Sequence, residues 1–369
     1  MISHVIVKLK EGKSMNVTTN LPSFTIGAQA YQEIEDYCLS YGQKAVLIGG
    51  KRALKVAEER IKEAVGGTKI DILDTLWYGG EATHSNIEKL KATPSVQEAD
   101  LLFVCGGGRA IDTVKVLADQ LEKPVFTFPT IASNCAPTTA VCVLYHDNHE
   151  MLGLYHLNAP AVHCFANSQV IAEAPTKYIW AGIGDALSKE VESEFSARGK
   201  TLSFNDALGV KVVEGCNERL MSIGKQAMDD CHNNQSSLAV EQVIYEIIGT
   251  TALTSVLVDN DYNSNLAHAF YYGATVAISG EKHLHGELVC YGVLVLLALD
   301  HQEEKLQELY NFMKTINLST TLEKLDIKSN EDFERILDKC MSMHDIVCSP
   351  YEITREKVVD AIKKVEKLS

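Results

Sequence analysis

Val104-Cys105-Gly106-Gly107-Gly108-Arg109-Ala110-Ile111-Asp112-Thr113-Val114-Lys115 joins an apolar run, Leu101 to Val104, to a segment of helical spacing through three consecutive glycines. A buried parallel strand that turns sharply into a helix has this pattern. The free N–H groups at the start of such a helix, with the positive end of its dipole, form a site for a phosphate. Glycine suits the turn because a Cβ blocks close approach of a pyrophosphate. A tight strand–helix turn with nothing bound is the plainer reading of the same residues.

Bulk properties narrow the field. A chain of 369 residues is expected to hold about two domains, and its 46% apolar content is ample for a core. A formal net charge of −15 argues against nucleic acid or an anionic membrane as partner. Met1-Ile2-Ser3-His4-Val5 lacks the charged and apolar regions of a signal peptide. No window approaches the ~18 apolar residues of a membrane span. Ten cysteines without CxxC or zinc-ribbon spacing read as reduced, mostly buried thiols of a cytoplasmic protein.

Strand and helix signals alternate through the first half. Strands are expected at Lys44–Ile48, Lys69–Tyr78, Ala99–Cys105 and Pro124–Phe128, with helices over Lys51–Val65, from a capping box at Ser85-Asn86-Ile87-Glu88, and over Arg109–Leu121. This alternation implies a Rossmann-like parallel sheet with ligands at the carboxyl ends of its strands. Thr138–Tyr145 followed by His146-Asp147-Asn148-His149-Glu150 reads as a hairpin with a solvated turn. Beyond Asn167 the chain is helical, with long segments at Ile183–Arg198, Asn205–Met228, Ser237–Val258 and Glu287–Gln302. The expected organisation is an α/β dinucleotide-binding domain over residues 1–166 and an all-α domain over 167–369, with the active site in a cleft between them.

In the helical half, Asp185 lies in Gly182-Ile183-Gly184-Asp185-Ala186-Leu187, His268 in Leu266-Ala267-His268-Ala269, and His285 in His283-Leu284-His285-Gly286-Glu287. One carboxylate and two imidazoles are enough to hold Zn²⁺ or Fe²⁺ with a position open for a substrate oxygen. By spacing alone, a helix-capping aspartate and two ordinary histidines explain them equally.

These motifs, with Pro129-Thr130-Ile131-Ala132-Ser133 between them, resemble the iron-containing alcohol dehydrogenase superfamily, and within it the glycerol dehydrogenase branch. The resemblance implies a dehydroquinate synthase-like architecture, an NAD or NADP cofactor, and direct hydride transfer to or from a small hydroxyl compound. It implies one divalent metal, Zn or Fe, on Asp185, His268 and His285. It assigns Gly107, Gly108, Arg109 and Asp112 to the cofactor turn, Thr130, Ser133, Thr139 and Tyr145 to further cofactor contacts, and self-association to the chain.

Three departures from the branch bear on specificity. Where glycerol dehydrogenases carry an aspartate for the adenosine ribose, this chain has Gly49, followed by Gly50-Lys51-Arg52. Loss of that carboxylate, with Lys51 and Arg52 beside it, points to NADP(H). The Ala-Ser-Thr-Asp-Ala-Pro of the branch becomes Ala132-Ser133-Asn134-Cys135-Ala136-Pro137, which replaces a polyol-binding carboxylate by a thiol at a cost of roughly 1.5–3 kcal/mol. Lys189, four residues after Asp185, takes the place of a fourth metal-binding histidine found in many members and is a candidate for a substrate carboxylate. His283 is a candidate proton relay.

The leading expectation is an NAD(P)-linked dehydrogenase of small alcohols or polyols, the alternative an NADPH-dependent 2-oxo acid reductase. A dehydroquinate synthase-like lyase is the remote alternative, because only Lys189, Lys282 and Arg198 stand ready for its phosphate ester. A binding protein without turnover is disfavoured by the intact Asp185, His268 and His285.

Overall fold

The computed structural model describes residues 18–278 and 282–368. Its strands are β1 (Phe24–Ile26), β2 (Lys44–Gly49), β3 (Asp71–Trp77), β4 (Leu101–Gly106), β5 (Val125–Pro129), β6 (Val141–Tyr145), β7 (Met151–His156) and β8 (His163–Ala166). Six form one sheet in the order β1-β8-β5-β4-β2-β3, and β6 and β7 pair as a separate antiparallel hairpin. Every pair within the large sheet is parallel, as helical crossovers require.

Alternating side chains of the central strands serve opposite faces. Val46, Ile48, Leu102 and Val104 pack with Ile111, Val114 and Leu117 of helix Gly108–Leu121. Ala45, Leu47, Leu101, Phe103 and Cys105 pack on the other side with Ala57, Ile61 and Val65 of helix Lys51–Val65. Both faces are therefore covered, which is why β4 reads as an unbroken apolar run. The chain leaves β2 toward β3 and β4 toward β5, on opposite sides of the adjacent pair. Their carboxyl ends, at Gly49 and Gly106, thus form the switch point where open α/β sheets bind ligands.

The described chain divides into two compact units. The sheet unit comprises Asn20–Ile179 and Gln226–Val256, and the helical unit comprises Trp180–Lys225 and Leu257–Ser369 with the segment ending at Thr19. Residues 167–179 and Gln226–Val256, assigned by sequence to the helical domain, thus lie with the sheet. Edge strand β1 shows why: the Phe24 ring meets Tyr245 edge-on at 5.4 Å and lies close against Gly249, so the later helices cover an edge that would otherwise be open.

Other expectations shift locally. The helix His84–Lys91 is capped by Thr83, which accepts from Asn86 N–H, two residues before the expected Ser85. The span 205–228 breaks at Gly215, φ 76°, where Glu190 accepts from the N–H groups of Gly215 and Asn217 at 3.0 and 2.8 Å. The span 237–258 contains a π-helical turn, Tyr245–Thr250, with the Ile248 carbonyl accepting from Thr138 Oγ1 at 2.5 Å. In the helical unit, residues Gly286 to Leu299 of helix His285–Leu299 are all buried, so this helix is its core. Among the described residues, no helix is long and apolar enough to cross a membrane, and all ten cysteines are free thiols.

His163 is fully buried, with Nδ1 2.7 Å from Ser23 Oγ and Nε2 2.9 Å from Thr25 Oγ1, and Tyr37 stacks on its ring. Burial pushes the imidazole down to about 4, so the native state excludes a proton that the unfolded chain accepts near 6.5. Its contribution is present above that pH and is lost as pH falls toward the native value. Chemical denaturation at pH 7 and pH 5 is expected to show about 2 kcal/mol of destabilisation from this residue, a component that His163→Gln removes.

Candidate metal centre and cofactor turn

Two glycines explain how Asp185 and His285 meet. A Cβ on Gly286 would lie 1.8 Å from the Ala181 carbonyl oxygen, and one on Gly184 would lie 2.5 Å from the Gly286 carbonyl oxygen. Helices Lys177–Ala197 and His285–Leu299 therefore touch backbone to backbone, with Asp185 on one and His285 opening the other. Asp185 Oδ1 is 2.9 Å from His285 Nε2 and 4.0 Å from His268 Nε2. His268 comes from the first turn of helix Leu266–Ala274. One ligand atom from each of the three residues lies within 4.8 Å of the others.

Glu192, fully buried two turns beyond Asp185, holds His268 in place. Its Oε2 is 2.6 Å from His268 Nδ1, and its Oε1 accepts from the N–H groups of Asn265 and His268 at 2.7 and 3.0 Å. A carboxylate on Nδ1 fixes the tautomer, leaving the Nε2 lone pair directed toward Asp185. Burial alone would raise the Asp185 carboxyl, but the charges of His285 and His268 and the His285 hydrogen bond hold it below the usual carboxylate range. Burial likewise opposes a charged His268, and the Glu192 carboxylate outweighs it, raising the imidazole. Tyr271 meets the His285 ring edge-on at 4.1 Å. An ionised carboxylate, an oriented imidazole and a second imidazole are a fitting donor set for Zn²⁺ or Fe²⁺.

Other predicted residues in this unit take definite places. Lys189 is buried, and its Nζ donates to the carbonyl and side-chain oxygens of Asn263 at 2.9 and 2.8 Å. His283 corrects the relay expectation. Its two nitrogens lie 3.0 Å from Glu287 and 3.1 Å from Asp326, so both are taken up in a structural clamp.

The residues assigned to the cofactor lie in the sheet unit. A Cβ on Gly49 would lie 2.6 Å from the Cys105 carbonyl oxygen, and one on Gly107 would lie 2.6 Å from Ile131 Cδ1. Gly107 caps helix Gly108–Leu121, and Thr130 N–H donates to the Gly106 carbonyl at 3.1 Å. Lys51 and Arg52 are exposed in the first turn of their helix, with Lys51 Nζ 4.4 Å from the centre of the Trp77 ring. Arg109 pairs with buried Glu81 at 3.1 Å and lies over the Tyr145 ring. Ser133 and Cys135 are half-buried in the loop before the turn Ala136–Thr138, and Thr139 closes that turn.

Asp112 departs from its expected role. Its carboxylate is buried, accepts from Val143 N–H at 3.0 Å and lies 3.6 Å from Lys115 Nζ. It ties the β6 strand to the glycine-turn helix, and burial, opposed by Lys115, raises it.

Glu192, Tyr271 and the glycine pair were missed by sequence reasoning. Glu192 alone left a usable signal, seven residues after Asp185 and so on the same helical stripe. Glu192→Gln is expected to weaken Zn²⁺ affinity by about 10–100-fold in competition with a chromogenic chelator. Gly286→Ala is expected to abolish metal binding in the same assay by forcing the two helices apart.

Comparison with known proteins agrees with this geometry. Residues 22–165 match the family model for iron-containing alcohol dehydrogenase. The chain is 31% identical to hydroxycarboxylate dehydrogenase A of Escherichia coli K12, over 88% of this chain and 89% of that one. It is 30% identical to glycerol dehydrogenase of Thermotoga maritima, over 96% and 98%. The fold matches the crystal structure of glycerol dehydrogenase from Schizosaccharomyces pombe with a TM-score of 0.84 at 23% identity, covering 98% of this chain and 92% of that one. The chain belongs to the iron-containing alcohol dehydrogenase family, in its glycerol dehydrogenase-like branch, and is a metal-dependent, nicotinamide-linked oxidoreductase.

Proposed function

We propose that the chain transfers hydride between NADP(H) and the carbinol carbon of a small alcohol or polyol. The observation that carries this reading is the convergence of Asp185, His268 and His285 around one point, with Glu192 orienting His268. A divalent ion, Zn²⁺ or Fe²⁺, supplies Lewis acidity toward the substrate oxygen when bound there. Asp185 contributes the negative charge of the donor set, and Glu192, held on His268 Nδ1, orients the ring so that Nε2 faces that carboxylate.

On the sheet unit, the N–H groups after Gly107 receive the cofactor pyrophosphate, and a side chain at Gly107 would collide with Ile131 beside that turn. Thr130, Ser133, Thr139, Tyr145 and Arg109 are the further cofactor contacts in this reading. The aspartate that holds the ribose hydroxyls in glycerol dehydrogenases has no room at Gly49, where the Cys105 carbonyl and Leu54 close in. Lys51, oriented by the Trp77 face, and Arg52 instead favour a 2′-phosphate. Cys135 offers a weak hydrogen-bonding group where the branch has a carboxylate, which loosens the hold on glycerol itself.

The test is an initial-rate panel of glycerol, 1,2-propanediol and ethanol, each with NAD(H) and NADP(H). NADP(H) is expected to give the higher kcat/KM, and Lys51→Ala to lower it about tenfold while affecting NAD(H) far less. Strict dependence on NAD(H), or an equal loss with both cofactors, contradicts the assignment of Lys51.

A further inference from the structure

Lys189 is the buried charge that the reaction above does not use. Only 7% of the residue is exposed, and no carboxylate lies within 4.0 Å of its ammonium among the described residues. Its partners are two neutral oxygens, both of Asn263, at 2.9 and 2.8 Å. Burying an ammonium group with neutral partners alone is costly, and buried lysines are ordinarily paired. Two of its three N–H donors are used by Asn263, and the third has no acceptor among the described residues.

Its position gives that unmet demand a direction. Asp185, Lys189 and Glu192 stand at i, i+4 and i+7 of one helix and so share a face. Asn263 lies just before the helix that carries His268, so it anchors the ammonium beside the donor set. With a divalent ion in place, the carboxylates of Asp185 and Glu192 are balanced, and Lys189 leaves one positive charge in excess. A neutral alcohol leaves that charge uncompensated, whereas a monoanionic substrate cancels it.

We propose that Lys189 gives this site a second substrate class, small 2-oxo acids, whose carboxylate it binds while the adjacent carbonyl is reduced. The inference rests on the dehydrogenase reading above and adds to it a substrate class. A 2-oxo acid, NAD(P)H and one proton yield a 2-hydroxy acid and NAD(P)⁺. Hydride leaves the nicotinamide for the C2 carbon, the C=O π pair moves onto oxygen, and that oxygen takes the proton from solvent. The third N–H of Lys189 donates to the substrate carboxylate, a charge-assisted hydrogen bond that a neutral diol cannot accept.

The experiment compares wild type, Lys189→Met and Lys189→Arg on reduction of 2-oxobutyrate and oxidation of 1,2-propanediol, with calorimetric binding of oxamate, an unreactive 2-oxo acid mimic. The ratio of kcat/KM for 2-oxobutyrate to that for the diol is expected to fall about 10–100-fold in Lys189→Met, chiefly through KM. Lys189→Arg is expected to recover part of it, and oxamate affinity to fall in parallel. An unchanged ratio, or a wild type that oxidises the diol but reduces no 2-oxo acid, overturns the proposal. If neither class turns over, the dehydrogenase reading fails by itself, and oxamate then decides the role of Lys189. Binding lost in Lys189→Met supports it, and binding retained overturns it.

Discussion

A contact that no side chain could survive brings Asp185 and His285 together in the helical unit. Gly286 presses against the Ala181 carbonyl so closely that a single methyl group would overlap it, and Gly184 meets the Gly286 carbonyl in return. That approach brings Asp185 to within 2.9 Å of His285. A wider helix spacing, as ordinary side chains impose, would separate the carboxylate from the imidazole and dissolve the donor set. Residues Gly286 to Leu299 of the same helix are all buried, which makes it the centre of the helical unit.

Around that contact the electrostatics are arranged in layers. Asp185 keeps its negative charge although burial opposes it, because two imidazoles share its surroundings. Glu192 does the same for the far side of His268. Lys189 adds a positive charge on the same helical stripe and is held by neutral oxygens of Asn263. The sheet unit follows a different rule: at Gly49 and Gly107 the absence of a Cβ lets the Cys105 carbonyl and the Ile131 side chain approach closely beside the N-terminus of helix Gly108–Leu121.

Much of this was legible in the residues. The unbroken apolar run of β4 ending at Gly106-Gly107-Gly108 announced a parallel strand, a turn and a helix, because a strand buried on both faces is apolar at every position. Asp185, His268 and His285 could be picked out as ligand types but not brought together, since the contact that unites them is tertiary and a glycine does not name its neighbour. β1 escaped notice because three residues carry too little periodicity. The helical span 237–258 concealed a π-turn because a shift of one hydrogen bond leaves the apolar spacing nearly intact. His283 misled for a simple reason: its second partner, Asp326, lies 43 residues away. Asp112 misled likewise, its carboxylate being taken by the hairpin backbone.

The central claim is that one divalent ion on Asp185, His268 and His285 is required for turnover. Metal content by elemental analysis, measured beside specific activity for wild type purified without chelator and for Asp185→Ala, tests it most directly. The account predicts one equivalent of Zn or Fe per active wild-type chain, and loss of both metal and activity in the variant. A metal-free wild type with full activity would contradict it.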